Sequence, residues 1–331
     1  MKDQLIDKTI HKLANMVVVT NSSTIHISLS LLSGKLGVVF FLLHYAKYYN
    51  KDKYESYVME LFEYIKDNLF ISNNNNVVNH NLIDIGIGMN YMVSQEFAIG
   101  DLDELLEEVD NFLLSYLDKK NCLFLKTSDL TAIGKYFLLR IEAAPSSINH
   151  LHHIKALESI IEVLKLHIFH IPICNPIIVK FLYLSSKVLS DKFIESLLIQ
   201  QINNYPNQTN WYRSGIPHWF GTFFIPENNE ALKNIIIKEI EKYSRKCLDN
   251  DWSDTLESGT AGLIVWMNLM SDYLSEDKYS DTKNTAIKKI VSNINQYKVL
   301  KDISLYWGFS GIGLALLSCI DNKCTQWIKL L

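Results

Sequence analysis

A histidine in a glycine-flanked turn, Gly215-Ile216-Pro217-His218, is suited to proton transfer, because an imidazole titrates near neutral pH. Trp219 follows it and can offer an apolar face to a ligand. Asp129, in Ser128-Asp129-Leu130-Thr131, can act as a base or orient an imidazole, and an aspartate there equally suits a helix cap. The pair Tyr306-Trp307 precedes another glycine turn, where two aromatic rings can grip an apolar side chain or pack into the core. The remaining candidates read as ordinary structure. Asp251, Asp254 and Glu257 would favour a hard cation but are simplest as a solvated turn. His150, His152, His153, His167 and His170 read as an incidental histidine-rich tract rather than a metal cluster. Cys122, Cys174, Cys247, Cys319 and Cys324 contain no Cys-x-x-Cys pair and suit reduced thiols, with Cys319 a small core residue.

These residues must be held by helices. Gly34-Lys35-Leu36-Gly37, Gly259-Thr260-Ala261-Gly262 and Gly308-Phe309-Ser310-Gly311 each precede an apolar run, and looser copies stand at Gly86-Ile87-Gly88, Gly134 and Gly215 to Gly221. Twelve of the 13 glycines fall in these six places, only Gly100 lying outside, so a repeat comes before any single motif. The starts recur at roughly 50 residues, with a longer interval between Gly134 and Gly215 that has room for a glycine-free helix pair. Segments behind the glycines, such as Val38 to Ala46 and Leu263 to Met270, are apolar nearly all round and read as inner helices. Lys53 to Phe70, the stretch from Asp101 to Tyr116 capped by Asp101, Ala231 to Tyr243 and Thr282 to Tyr297 are one-sided and read as outer helices. Alternating inner and outer helices predict an all-α α/α toroid of two concentric layers, with six or seven inner helices, each entered by a glycine turn whose φ > 0 conformation permits a sharp bend and whose missing side chain lets neighbouring backbones crowd around the central opening. Only 76–78 and 122–125 read as extended, and residues 1–331 form one expected domain.

Composition narrows the function classes. Of 331 residues 48% are apolar, enough for a large core, while 32 basic and 36 acidic residues are interspersed to a net charge of −4. No basic face for nucleic acid follows. The N-terminus lacks the pattern of a secretory signal, and the greasiest stretch, Ile27 to Ala46, contains Gly34, Lys35, Gly37 and His44, so a membrane span is not expected and a cytoplasmic location is.

The phrases Leu32-Ser33-Gly34-Lys35-Leu36-Gly37-Val38, Ile85-Gly86-Ile87-Gly88-Met89, Ala132-Ile133-Gly134-Lys135-Tyr136-Phe137-Leu138, Ser258-Gly259-Thr260-Ala261-Gly262 and Gly308-Phe309-Ser310-Gly311-Ile312-Gly313-Leu314, in this order, resemble the lanthionine synthetase C-like family. The resemblance runs roughly from Ser30 to Ile320. It implies a protein of lanthipeptide biosynthesis, in which a precursor-peptide thiol adds to a dehydrated residue to close a thioether, with zinc on two cysteines and a histidine holding the thiolate. The family's ligand positions correspond here to Glu257-Ser258 and Tyr306-Trp307, or else Gly308 to Gly313 matches the family's last, ligand-free repeat and the Cys-His repeat is missing; under either alignment the resemblance implies a divergent member without the zinc ligands and with no cofactor. It also makes His218 the counterpart of a catalytic histidine and Asp129 that of a catalytic aspartate, and it places Tyr306, Trp307 and Trp219 at the substrate. Expected partners are the precursor peptide and a lanthipeptide dehydratase. Two roles stay open: a zinc-independent cyclase working through His218, and a non-catalytic scaffold for the peptide or dehydratase.

Overall fold

The computed structural model describes residues 2–23, 28–68, 78–117, 122–168, 176–190, 253–269, 276–296 and 302–330, with 192, 194, 196, 241, 244 and 245 as single positions. In chain order the helices are α1 (Lys2–Ser23), α2 (Lys35–Tyr49), α3 (Asp52–Asp67), α4 (His80–Ser94), α5 (Leu102–Leu105), α6 (Glu107–Tyr116), α7 (Thr127–Ala143), α8 (His150–Ile168), α9 (Pro176–Leu189), α10 (Thr260–Leu269), α11 (Glu276–Gln296) and α12 (Phe309–Ile320), followed by 3-10 turns over Asn322–Leu330. No strand occurs among the described residues, and 122–125, read from sequence as extended, is turn and single helical residue instead. The chain is all-α and divides into two compact units, Met1–Phe70 with Asn210–Leu331, and Ile71–Thr209.

Among the described residues of the first unit three helices form the core layer. Lys35 to Ala46 of α2 and Phe309 to Ser318 of α12 are buried without a break, as are Thr260 to Met267 of α10. Their all-round apolar composition dictates this, since such a helix has no face to give to water. α12 packs between α10 and α2, so the last glycine-headed helix lies beside the first. One-sided helices cover them. α3 lies on α2 through Tyr54, Val58, Leu61 and Ile65, and α11 lies on α10 through a stripe that includes Ala286, Ile287, Ile290 and Ile294. α1, a helix the sequence reading left unassigned, buries Ile6, Ile10, Leu13, Ala14 and Val17 at helical spacing and packs on α12 and α11. Polar ties fix its register: Tyr49 Oη donates to Asp7 and Tyr54 Oη to Asn15, both at 2.6 Å, and the Lys12 ammonium donates to the Ile294 carbonyl near the negative end of α11 at 2.7 Å.

In the second unit α7 packs against α4, α8 and α9, with α5 and α6 beside α4. The long interval between Gly134 and Gly215 does hold a helix pair, α8 and α9. The outer helix expected from Asp101 to Tyr116 is broken at Leu106 into α5 and α6, although Asp101 caps its start by accepting from the Asp103 N–H at 2.7 Å. Each unit thus has the core-and-cover layering of an α/α toroid.

The glycines correct the sequence reading twice. First, Gly34 and Gly308, the N-caps of α2 and α12, are extended at φ −134° and −122°, and the other glycines with described surroundings also lack positive φ. Space, not handedness, demands them: a Cβ on Gly34 would overlap Ser28 and Ser30 backbone, one on Gly259 Ser253 and Thr255 backbone, and one on Gly308 Asp302 and Ser304 backbone. Second, Gly86 and Gly134 are not turns but buried positions inside α4 and α7. There the missing side chain receives the ring of the next core helix, Tyr136 on Gly86 and Phe181 on Gly134, as Gly313 of α12 receives Phe41 of α2.

Candidate functional site

Three glycine turns among the described residues of the first unit share a ten-residue phrase that extends the Gly-x-x-Gly reading upstream: Ser28-Leu29-Ser30-Leu31-Leu32-Ser33-Gly34-Lys35-Leu36-Gly37, Ser253 to Gly262, and Asp302 to Gly311. In each, the first side-chain oxygen accepts from the N–H two residues on, at 3.2, 3.1 and 2.8 Å. The N–H just after the first glycine then donates back to the carbonyl of that same first residue, at 2.8, 2.9 and 3.2 Å. The fourth residue, Leu31, Leu256 or Leu305, is buried. Two of these leucines meet a second glycine of a neighbouring turn: Leu305 lies against Gly37 and Leu256 against Gly311. The sequence carries this signal in plain letters, a hydroxyl or carboxylate six residues before the first glycine and a leucine three before it.

The turn bearing Tyr306 and Trp307 is tied to the other two. The Tyr306 N–H donates to the Leu32 carbonyl at 2.9 Å, and the Tyr306 carbonyl accepts from the Leu256 and Glu257 N–H groups, both at 3.1 Å. Trp307 is 46% exposed, packs edge-on to Tyr306 and donates its indole N–H to Glu257 at 2.5 Å. An aromatic surface on a rigid backbone junction suits contact with an apolar side chain. It does not suit zinc. Glu257, Ser258, Tyr306 and Trp307 offer one carboxylate, already bonded, and neither thiolate nor imidazole. Among the described residues no three His, Cys, Asp or Glu side chains form a metal-holding group. Burial, helped by Asp321, pushes the Cys324 thiol up to about 12, so it stays protonated, and Cys319 donates to the Ala315 carbonyl at 3.4 Å.

In the second unit the seam between α4 and α7 carries titratable groups at its N-terminal end. His80, the first residue of α4, bonds through Nε2 to the Asp129 carboxylate at 2.9 Å, with the His80 side chain 53% and that of Asp129 18% exposed. Asp129 lies in the first turn of α7, yet its carboxylate reaches the neighbouring helix. One turn further along α4 stands Asp84, whose charge favours the Lys135 ammonium of α7, although burial lowers that amine overall to about 8. Lys180 of α9 is also lowered, by burial and then by repulsion from Lys135. Deeper in the seam Tyr136 fills the space at Gly86, and Asn90 donates to the Leu139 carbonyl at 3.2 Å.

Behind α7 lies a cluster the sequence reading missed. Asp110 of α6 accepts from Tyr136 Oη at 2.5 Å, from Arg140 Nη2 at 2.9 Å and from His153 Nε2 at 3.1 Å; Arg140 also reaches Asp103 at 2.8 Å, and Asp103 accepts from Ser147 at 2.6 Å. Arg140 and His153 are buried, so His153 belongs to a structural network rather than to an incidental tract. Burial alone would raise the Asp110 carboxyl, but hydrogen bonds from His153, Arg140 and Tyr136 hold it below its usual value. The readable signal was Arg140, a cation between the apolar runs Tyr136 to Leu139 and Ile141.

Of the residues singled out from sequence, Asp129 is thus paired with His80, and Tyr306 and Trp307 stand at the junction of three turns. His218 and Trp219 lie outside the described residues, as does Ala231 to Tyr243 apart from 241. No described helix is long and apolar enough to cross a membrane. Residues 227–331 match the sequence profile of the family described as Lanthionine synthetase C-like protein. No curated protein matches the chain.

Proposed function

We propose, from a C-terminal third that matches the profile of the lanthionine synthetase C-like family, that this protein acts on a dehydrated, cysteine-containing precursor peptide in lanthipeptide maturation. The observation that carries the reading is the junction of three glycine turns, which displays Tyr306 and Trp307 within the matched stretch at the positions where the family resemblance puts metal ligands. In this reading Tyr306, Trp307 and Trp219 grip apolar side chains of the peptide, His218 donates the proton that completes thiol addition, and Asp129 serves proton transfer at the second unit. Residues 1–331 work as one domain in the cytoplasm, beside a dehydratase that supplies the substrate. Because the donor set does not fit zinc, no step is assigned to a metal.

The bonded Trp307–Glu257 pair favours a second role, a scaffold that binds the peptide or the dehydratase without chemistry. Incubation with a dehydrated precursor and counting of free thiols separates the two. Thiol loss that disappears in His218→Ala marks a cyclase, and tight binding with constant thiols marks a scaffold. Stoichiometric zinc in purified protein would overturn the metal-free form of both.

A further inference from the structure

We infer that His80, held by Asp129, is a proton-transfer residue of a peptide site at the N-terminal end of the α4–α7 seam. The inference rests on the reading that the protein handles a dehydrated, thiol-bearing peptide. Its basis is geometric. Asn79 caps α4 by accepting from the Leu82 N–H at 3.3 Å, which fixes the start of the helix and hence the base of the His80 side chain. Asp129 then takes one ring nitrogen at 2.9 Å from a neighbouring helix, leaving a half-exposed imidazole with its other nitrogen for a ligand. A carboxylate in that place selects the tautomer and orients the ring, the task an orienting aspartate performs for a catalytic histidine. A solvated ion pair would need neither helix capping nor a carboxylate four-fifths withdrawn from water.

The groups around the pair are consistent with proton traffic. Asp84 lies one turn below His80 on α4, and Lys135 of α7 faces Asp84. The carboxylates of α5 and α6, Asp103 and Asp110, are turned instead to Arg140. Without a metal to ionise the thiol, addition needs a base. His80 takes the proton from sulfur as the C–S bond forms at the β-carbon and the C=C π bond breaks. The electron pair moves to the α-carbon, which takes up a proton from an acid or water, and the imidazolium returns its proton to solvent. No oxidant, reductant or metal is consumed.

The test uses full-length protein and a dehydrated, cysteine-containing peptide in three arms. First, His80→Gln should lower thiol consumption about a hundredfold with peptide affinity retained, and its rate should lose the limb that follows imidazole ionisation. A wild-type rate in His80→Gln overturns the inference. Second, Asp129→Asn, which keeps the shape but removes the carboxylate that holds the ring, should lower the rate of thiol consumption with peptide affinity retained; a wild-type rate in Asp129→Asn overturns the positioning role. Third, His80 carbethoxylation by diethyl pyrocarbonate is read by mass spectrometry with and without peptide. If wild-type protein consumes no thiol, the cyclase reading fails, and this arm decides the site alone: slowing of His80 labelling by peptide supports the seam as a peptide site, and unchanged labelling overturns it.

Discussion

Apart from Gly313, which admits the Phe41 ring, the glycines of the first unit serve a different mechanical end from those of the second. In the first, Gly34, Gly259, Gly308 and Gly311 stand where backbone presses on backbone, and three copies of one phrase are stitched together through Tyr306. In the second, Gly86 and Gly134 sit inside helices and make room for aromatic rings, while a buried ionic network ties α5, α6 and α8 to α7. A crowded backbone has no means of yielding, whereas a ring can swing. The difference teaches that the first unit is built to hold loops rigidly and the second to hold helices together, and it ranks what should break each.

The largest effect belongs to Gly311→Ala. The new methyl group would overlap the Leu305 carbonyl and meet Leu256 Cβ at 2.9 Å, and the two turns these neighbours belong to are fixed to each other through the Tyr306 carbonyl. Loss of more than about 4 kcal/mol, seen as little folded protein by circular dichroism, is expected. No truncation of a single side chain should rescue it. If Gly311→Ala melts within a few degrees of wild type, the rigid-junction description is wrong.

Next in size is Asp110→Ala. It strands Arg140 and His153, both buried, without their shared acceptor, and removal of one partner from such a buried pair costs ~3–5 kcal/mol in urea unfolding at neutral pH. The pH dependence has a definite sign. Asp110 is held below its ordinary value of 3.8 in the folded state, so its contribution is fully present above that pH and fades as pH falls through the folded-state value. Wild type should therefore lose stability on acidification more steeply than Asp110→Ala. Parallel acid profiles would show that the network does not hold the carboxylate charged.

A smaller cost, about 1–3 kcal/mol, is expected for Gly134→Ala, because the obstacle is the outer edge of the Phe181 ring rather than backbone. Phe181→Leu in the same chain should recover part of the loss. Absence of recovery would mean that Gly134 is needed for something other than admitting the ring, and the contrast between the units would narrow.

How much of this was legible depended on whether a signal was local. The all-round apolar character of Val38 to Ala46 and the one-sided stripe from Ala286 to Ile294 show directly in the letters, because burial of a helix face follows from composition at fixed spacing. The glycine positions were legible too, and so was the crowding of backbones at the turns, but the extended φ there and the rings that Gly86 and Gly134 admit were not. A sequence shows that a side chain is missing, not whether φ, a carbonyl or a ring required the omission, and Gly34 at φ −134° and Gly86 against Tyr136 gave two different answers. Pairs across helices were the least legible. His80 and Asp129 are far apart in sequence, as are Asp110 and His153, and only the docking of α4 and α6 on α7, with α8 alongside, brings them within 3.1 Å.

The smallest expected effect on stability is at Trp307, and it sharpens the comparison most for function. Tyr306 and Trp307 occupy the fifth and sixth positions of the ten-residue phrase, filled in the other copies by Leu32-Ser33 and Glu257-Ser258. The turn closes in all three with the same hydrogen bonds, so an indole is not what the backbone needs. Trp307→Ser gives this turn the residue both sister turns carry, and with the ring 46% exposed its cost should stay within about 0.5 kcal/mol. Peptide affinity, followed by titration with a fluorescent dehydrated precursor, should nevertheless fall at least about tenfold, since a lone exposed tryptophan on a rigid support is the kind of side chain on which binding energy concentrates. A stability loss above about 2 kcal/mol would make Trp307 a structural plug instead. Unchanged affinity would move peptide binding away from the junction of the three turns.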